Sequence, residues 1–471
     1  MENFNLEEVM VNNMNSTNLE YIKIDGLFGR HDVELNFDKE VNIYIGENGL
    51  GKTTILNCVY YILKKRYVKL AEIDFDKICI KFKTEIKEFV LTASDINAYN
   101  MKRLSRNRHV DEEYYERFKQ ELLIIADNLD YLDSEYFNIM VRKLSRIKEV
   151  PTSIARNELL RYIETGEIYL DRKLKMGEYK KVEELNSALE KYMTQEILYL
   201  TTYRRIENDF SNLLSKDEFR EKDMLIRFGM SDVDKSIKEI LESIRENSRE
   251  SFNKMTSVLL KQYASKKNVK SFTSNTSIDK DMLKIILDRL GNEIAEEDRN
   301  NIISLLDSKK IYQEDYSYLL DLITKLIENY DKQKVYDDKI KNFANTCNKY
   351  FNGKKFVYNQ SELKLDIKVT NIFEEELETI KLTKLSSGEM QIVSLFSKLY
   401  LDNDKDSIFI IDEPELSLSM RWQQMLLPDI MRSGNCKLLL TVTHSPFIFD
   451  NEFDYDAKEM RNCIKVHTGG K

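Results

Sequence analysis

The chain has 471 residues, of which 32% are charged and 42% hydrophobic, and it carries a net charge of −9. This charge argues against a uniformly basic coat for nucleic acid, although a local basic face remains compatible with it. The acidic N-terminus is unlike a signal peptide, no apolar run approaches the roughly 20 residues that span a bilayer, and five scattered cysteines form no CxxC pair. We therefore expect a cytoplasmic protein with reduced thiols and no membrane partner.

The first hundred residues predict strands around a glycine-rich loop. Residues 19–37 read as two strands, and residues 74–83 with 87–92 predict a further hairpin. The apolar run VNIYI at 41–45 predicts a buried strand. It is followed by GENGLGKTT at 46–54 and then by an apolar helical pattern, which gives the order strand, loop, helix.

The loop at 46–54 fits the phosphate-binding motif GxxxxGK[ST]. In that motif backbone N–H groups turn inward around a polyphosphate, and the following helix directs its positive end at the same anion. Lys52 is predicted to reach the β- and γ-phosphates, and the Thr53 hydroxyl to bind Mg²⁺. The residues predicted to hold the nucleotide here are Asn48, Gly49, Gly51, Lys52, Thr53 and Thr54.

The middle of the chain, residues 101–350, predicts helices with one interruption. An apolar strand is expected near 196–204, and it leads into the loop TYRRIE, where Arg204 or Arg205 either neutralises phosphate charge or is an ordinary salt-bridged arginine. Between 208 and 350 there is no proline, and apolar residues recur at three- or four-residue steps. This spacing predicts long amphipathic helices, as a helical lobe or a short coiled coil.

The carboxyl-terminal part carries three further motifs. LSSGE at 385–389 precedes an amphipathic helix, and the apolar strand at 407–412 ends in Asp412 and Glu413. A second apolar strand follows a helix and leads into His444 within THSP at 443–446.

In their order and spacing these motifs resemble the ABC-type ATPase heads of the SMC, RecF and OLD proteins. The resemblance implies that ATP and Mg²⁺ bind here, that Asp412 orders the Mg²⁺ shell, that Glu413 polarises the attacking water and that His444 contacts the γ-phosphate. Phosphoryl transfer of this kind requires mainly positioning and charge stabilisation.

Signature motifs of this class act in trans, so the resemblance also implies a homodimer or a higher even-numbered homo-oligomer. The residues that would cap the ATP of a second copy are Ser386, Ser387, Gly388 and Glu389. The segment 415–419 occupies the D-loop position at such an interface.

The implied fold class is α/β, an ABC-type (P-loop) ATPase head with a mixed sheet, split by a long α-helical or coiled-coil insertion. We predict an N-terminal lobe at 1–100, the insertion at 101–350 and a C-terminal lobe at 351–471. Only 27 residues follow His444, so we expect no nuclease domain of the OLD type after it.

Two functions are open at this point. The motifs and TYRRIE resemble the stand-alone ATPase subunits of the PARIS and Septu anti-phage systems, which implies a separately encoded effector such as a nuclease and a phage protein as trigger. The alternative is a RecF- or SMC-like repair ATPase that clamps DNA, with nucleic acid as its partner. The acidic insertion favours the first, because a DNA clamp normally displays a basic groove.

Overall fold

The structure is a computed structural model. It describes residues 17–47, 49–105, 179–200, 230–264, 278–290, 294–371, 375–402 and 405–467, with a few single positions between 137 and 159. Three residues of the sequence predictions, Asn48, Arg204 and Arg205, lie outside the described residues, so their roles stay predictions.

The chain divides into two compact units. The first contains Met1–Thr202 and Lys405–Lys471, and the second contains Tyr203–Asp404. The first unit therefore joins the two ends of the chain around the phosphate-binding loop. The predicted lobes at 1–100, 101–350 and 351–471 are defined by family resemblance and stay a prediction.

A parallel five-stranded sheet forms the centre of the first unit. Its order across the sheet is β12-β3-β11-β10-β6, and all neighbouring pairs run parallel. The strands in that order are Ala457–Glu459, Val41–Ile45, Cys436–Thr443, Ser407–Asp412 and Glu196–Leu200. Because parallel strands end at one edge of the sheet, the segments after β3, β10 and β11 meet there.

The second sheet of this unit is antiparallel, in the order β13-β2-β1-β4-β5. It confirms the two predicted N-terminal strands and the hairpin that follows them. The strands in that order are Ile464–Val466, His31–Asn36, Leu19–Leu27, Lys77–Phe82 and Phe89–Thr92.

Helix α1, Lys52–Leu63, packs between the two sheets. Its side chains Ile55, Leu56 and Ile62 are fully buried, in one apolar cluster with residues of both sheets. The strand that enters the phosphate-binding loop and the helix that leaves it are thus both anchored in the core. Four more α-helices of the first unit are α2 (Tyr67–Leu70), α3 (Ala93–Ser105), α4 (Lys180–Tyr192) and α10 (Met420–Arg432).

The second unit contains five α-helices among its described residues and a small antiparallel sheet. Its helices are α5 (Met230–Ala264), α6 (Lys280–Arg289), α7 (Glu296–Asp307), α8 (Ser317–Asn348) and α9 (Ser387–Tyr400). The sheet has the order β7-β8-β9, with strands Lys354–Asn359, Lys364–Thr370 and Glu376–Ile380.

Helices α5 and α8 confirm the two long helices predicted from the apolar spacing. On α8 the side chains Ile323, Ile340 and Phe343 are essentially buried, as their spacing predicts. The two helices pack against each other within the second unit. A coiled coil stays a prediction.

A buried ion pair on α8 was not predicted. Asp337 is fully buried, and both its carboxylate oxygens accept from Arg289 Nη2 at 2.8 Å. Tyr358 donates a third hydrogen bond to Asp337 Oδ1 at 2.5 Å, and Arg289 Nε donates to the Gln360 carbonyl at 2.9 Å. The network joins α6, α8 and the sheet of the second unit.

Replacing Asp337 with alanine should lower the free energy of unfolding by about 3–5 kcal/mol, because it leaves the Arg289 charge buried without its partner. Chemical denaturation followed by circular dichroism measures this loss. Asp307→Ala is the control, since Asp307 pairs with Lys280 at the surface, and it should leave the midpoint unchanged. An equal, small effect of both variants would contradict the prediction.

Among the helices that the structure describes, none combines the length and the apolar character needed to cross a bilayer.

Candidate active site

The phosphate-binding loop connects β3 to α1 in a conformation that requires glycine. Gly49 and Gly51 have φ values of 90° and 75°, in the left-handed region that other residues rarely adopt. The first turn of α1 begins with the bond from Ile55 N to the Gly51 carbonyl at 2.9 Å. Since Gly51 at the N-cap has no side chain, the backbone N–H groups of this turn are left to bind an anion.

The Lys52 side chain bridges the loop and the neighbouring strand end. Its Nζ donates to the Glu47 carbonyl at 2.9 Å and lies 2.6 Å from His444 Nε2. Burial lowers the pKa of Lys52, and the carboxylates of Glu413, Asp412 and Glu415 partly oppose that shift. A polyphosphate would add the anionic partner that this buried cation favours.

Thr53 and Asp412 meet beside Lys52. The Thr53 hydroxyl donates to Asp412 Oδ2 at 2.7 Å. Asp412 is 2% exposed, and its Oδ1 has no hydrogen-bond partner among the described residues. Burial raises the pKa of Asp412, and the Thr53 hydroxyl opposes that shift. A buried carboxylate oxygen next to a hydroxyl fits Mg²⁺, a hard cation that takes few protein oxygens and keeps waters.

Changing Asp412 to asparagine should raise the Mg²⁺ concentration needed for half-maximal ATP turnover by about tenfold or more. The amide keeps the shape of the side chain but removes its charge. Titration of Mg²⁺ at saturating ATP measures the shift, and the same titration with Mn²⁺ provides a second readout. Asp454→Asn, at an exposed turn, is the control, and equal Mg²⁺ curves for the two variants would contradict the assignment.

Glu413 follows β10 in a strained backbone conformation. Its φ is 52°, which costs about 1–2 kcal/mol for a residue with a β-carbon. The bond from Glu413 N to the Val442 carbonyl at 2.9 Å holds it there. As a result its Oε1 lies 3.9 Å from His444 Nε2, at the edge of the sheet next to the loop. Strain of this kind is concentrated at functional sites.

The structure therefore brings together five of the predicted side chains within the first unit. They are Lys52, Thr53, Asp412, Glu413 and His444. Gly49, Gly51 and Thr54 belong to the same loop and helix start.

The signature residues lie in the second unit, at the start of α9. Ser386 and Glu389 form a capping box: Ser386 N donates to Glu389 Oε2 at 2.7 Å, and the serine side chain accepts from Glu389 N. Glu389 also pairs with Lys354 at 2.8 Å. Burial raises the pKa of Glu389, but the bonds from Lys354 and Ser386 outweigh it, so the pKa is lowered overall. The Glu389 carboxylate thus stabilises the helix start.

Ser386 and Ser387 are exposed at this helix start, whereas Gly388 is buried. Their contact with a second copy's ATP, and any nucleotide contact of Glu389, stay predictions.

One residue of the site was not predicted from the sequence. Glu415 binds the loop that carries His444, through Thr443 Oγ1 and His444 N, both at 2.8 Å. The sequence signal is a second carboxylate two positions after Glu413, but its partner lies 29 residues further along the chain.

The sequence was also compared with models of known protein families. A family model described as an AAA ATPase domain, AAA_15, matches residues 18–449. The chain belongs to the AAA_15 family of ATPase domains. It is therefore an ATP-binding AAA-type ATPase, and the predicted α/β P-loop head with a long helical insertion is confirmed.

Three solved structures with similarity to the chain are Smc head domains. A Pyrococcus furiosus head with an extended coiled coil, bound to the C-terminal domain of ScpA, is 12% identical, with 95% of each chain covered and a TM-score of 0.34. A head bound to the winged-helix domain of ScpA is 10% identical, covers 92% and 91%, and has a TM-score of 0.33. A Pyrococcus yayanosii head is 15% identical, covers 95% and 96%, and has a TM-score of 0.32.

Because each TM-score is below 0.5, we infer neither fold nor function from these similarities. Comparison with curated proteins finds no match.

Proposed function

We propose that this ATPase is a nucleotide-gated switch: two copies close on ATP, and the closed state controls a separately encoded effector of a bacterial anti-phage complex. The observation that carries the proposal is the convergence of Lys52, Asp412, Glu413 and His444 at one edge of the parallel sheet. These side chains supply the parts that phosphoryl transfer requires.

Each side chain has a separate role in the proposed hydrolysis. Lys52 binds β- and γ-phosphate oxygens, and Thr53 with Asp412 holds Mg²⁺. Bound Mg²⁺ supplies positive charge to the phosphate oxygens. Glu413 orients a water molecule and accepts its proton, while His444 donates a hydrogen bond to the γ-phosphate. Since Glu413 and His444 lie 3.9 Å apart, both reach the same side of the site.

The proposed closed state is a homodimer or a higher even-numbered homo-oligomer. Support comes from the start of α9, where the capping box fixes the first turn and where Ser386 and Ser387 are exposed. The N-terminus of a helix favours an anion, such as the γ-phosphate of a second copy. The site at Lys52 then needs a partner copy for completion.

The role in defence is supported by the motif resemblance to stand-alone anti-phage ATPase subunits. On this reading the effector, for example a nuclease, is a second polypeptide, a phage protein is the trigger, and the complex works in the cytoplasm. ATP must favour the closed state by roughly 10⁴-fold to drive closure nearly completely.

Native mass measurement of Glu413→Gln, with and without MgATP, tests the switch. We expect MgATP to raise the number of chains per particle to a larger even number, because ATP is bound but not consumed. The double variant Glu413→Gln with Ser387→Arg should still bind ATP at Lys52 but fail to assemble. Ser257→Arg, an exposed serine on α5, is the matched control.

An unchanged mass at saturating ATP, or an odd number of chains, would overturn the proposal. Tight binding of duplex DNA with a steep salt dependence would instead favour the RecF- or SMC-like clamp. Fluorescence anisotropy of labelled duplex DNA at two salt concentrations measures this binding.

A further inference from the structure

We propose that Glu415 is a positioning residue for ATP hydrolysis, which holds the loop Thr443–Ser445 so that His444 faces Lys52 and Glu413. We call this loop the histidine loop. The inference rests on the proposed function, in which His444 contacts the γ-phosphate and Glu415 holds His444 in place. A set of hydrogen bonds joins Glu415 and the histidine loop, which lie far apart in the sequence.

Both oxygens of Glu415 accept bonds from consecutive residues of the histidine loop. Thr443 Oγ1 donates to Oε2 and His444 N donates to Oε1, both at 2.8 Å. Thr443 is fully buried, and its Oγ1 also accepts from Ser445 N at 3.0 Å. Hydrogen bonds to a carboxylate are roughly twice as strong as neutral ones, so this pair restrains the backbone on both sides of His444.

A second contact ties the other end of the histidine loop to the same region. Ser445 Oγ donates to Gln423 Oε1 at 2.5 Å, and Gln423 Nε2 donates to the Leu418 carbonyl at 2.9 Å. Gln423 is 8% exposed. The bond from Leu418 N to the Glu415 carbonyl at 3.1 Å closes the turn at residues 415–418. The turn and the histidine loop are therefore held together at two points.

The position of the His444 ring depends on this support. Its Nε2 lies 2.6 Å from Lys52 Nζ and 3.9 Å from Glu413 Oε1, so a small shift of the backbone changes both distances. A misplacement of about 1 Å can cost about 10²-fold in rate. Glu415 therefore links the turn at residues 415–418 directly to the backbone of His444.

The assignment is tested by measuring turnover and ATP affinity in three variants: Glu415→Ala, Glu415→Gln and the control Glu190→Ala. We expect Glu415→Ala to lower kcat by about 10²-fold and to leave the Kd for ATP within about twofold, because Lys52 keeps its place. Glu190, whose side chain is 75% exposed, should have no effect.

The glutamine variant separates positioning from proton transfer. Its carboxamide oxygen can accept from His444 N, and its amide can donate to Thr443 Oγ1 once that hydroxyl turns to the Ser445 carbonyl, 3.5 Å away. Glu415→Gln should therefore retain most of the activity. A loss as large as that of Glu413→Gln would show that Glu415 handles a proton and would overturn the proposal.

A double-variant cycle shows whether Glu415 acts through His444. His444→Ala and the double variant Glu415→Ala with His444→Ala should have the same kcat, because removing the histidine removes what Glu415 positions. Independent, multiplying losses would overturn the proposal, and so would a wild-type kcat for Glu415→Ala. If His444→Ala itself turned over at the wild-type rate, the proposed role of His444 would fail instead, and the Glu415 assignment with it.

Should Glu415→Ala fail to fold, Thr443 provides a second route. Thr443→Val removes one of the two donors and should lower kcat with an unchanged Kd for ATP, whereas Thr443→Ser keeps the hydroxyl and should restore kcat. Equal kcat values for Thr443→Val and Thr443→Ser would contradict the proposal.

Discussion

Replacing Glu413 with glutamine is expected to lower ATP turnover by about 10³-fold while ATP still binds. The carboxamide keeps the size of the side chain and can orient a water molecule, but it cannot accept the proton. The backbone strain at φ 52° and the bond to the Val442 carbonyl should both persist. Single-turnover measurement with labelled ATP separates the lost chemical step from retained binding.

Glu452→Gln is the matched control for this variant. Glu452 pairs with Arg432 and both side chains are at least half exposed, so the same chemical change there should leave turnover unchanged. Wild-type turnover in Glu413→Gln would show that the proton acceptor is another group.

Replacing Lys52 with alanine is expected to weaken ATP binding by about 10²-fold or more, as a buried charge-assisted contact to phosphate is lost. Lys52 is 6% exposed and is held by the Glu47 carbonyl beside three carboxylates. Without its positive charge, these carboxylates would repel the polyphosphate. Isothermal titration of ATP into wild type and variant measures the difference.

Lys69→Ala, at a partly exposed lysine paired with Glu72, is the control for this loss. ATP affinity in Lys52→Ala equal to that of the control would place the nucleotide away from the loop at 46–54. Circular dichroism of Lys52→Ala distinguishes a local loss of binding from unfolding.

Local patterns predicted the parts of the site that are built from contiguous residues. The strand Val41–Ile45, the two positive-φ glycines and helix α1 follow one another, so a short motif specifies them. The same holds for the buried strand that ends at Asp412 and the strand that leads to His444. Their convergence follows from the parallel sheet, because the ends of β3, β10 and β11 share one edge.

Contacts between distant polar residues could not be predicted in this way. Asp337 lies on an amphipathic helix, where an acidic residue is expected to face solvent, yet it is fully buried with Arg289 from another helix. Glu415 likewise meets the histidine loop only because β10 and β11 are neighbours in the sheet. The sequence does not show the partner of either residue, because each pairing depends on tertiary packing.

The signature motif illustrates an intermediate case. A serine followed three residues later by glutamate predicts a capping box, and Ser386 with Glu389 forms one. The ion pair between Lys354 on β7 and Glu389 could not be predicted, because it depends on the fold of the second unit. Whether this helix start meets a partner's ATP depends on a second copy of the chain.

Hydrolysis at this site is tested by measuring the release of phosphate from MgATP by the purified wild-type chain, beside Lys52→Ala and Glu413→Gln from the same preparation. We predict steady release by the wild type and release near background by both variants. Equal release by all three proteins, or none by the wild type, would contradict hydrolysis at this site.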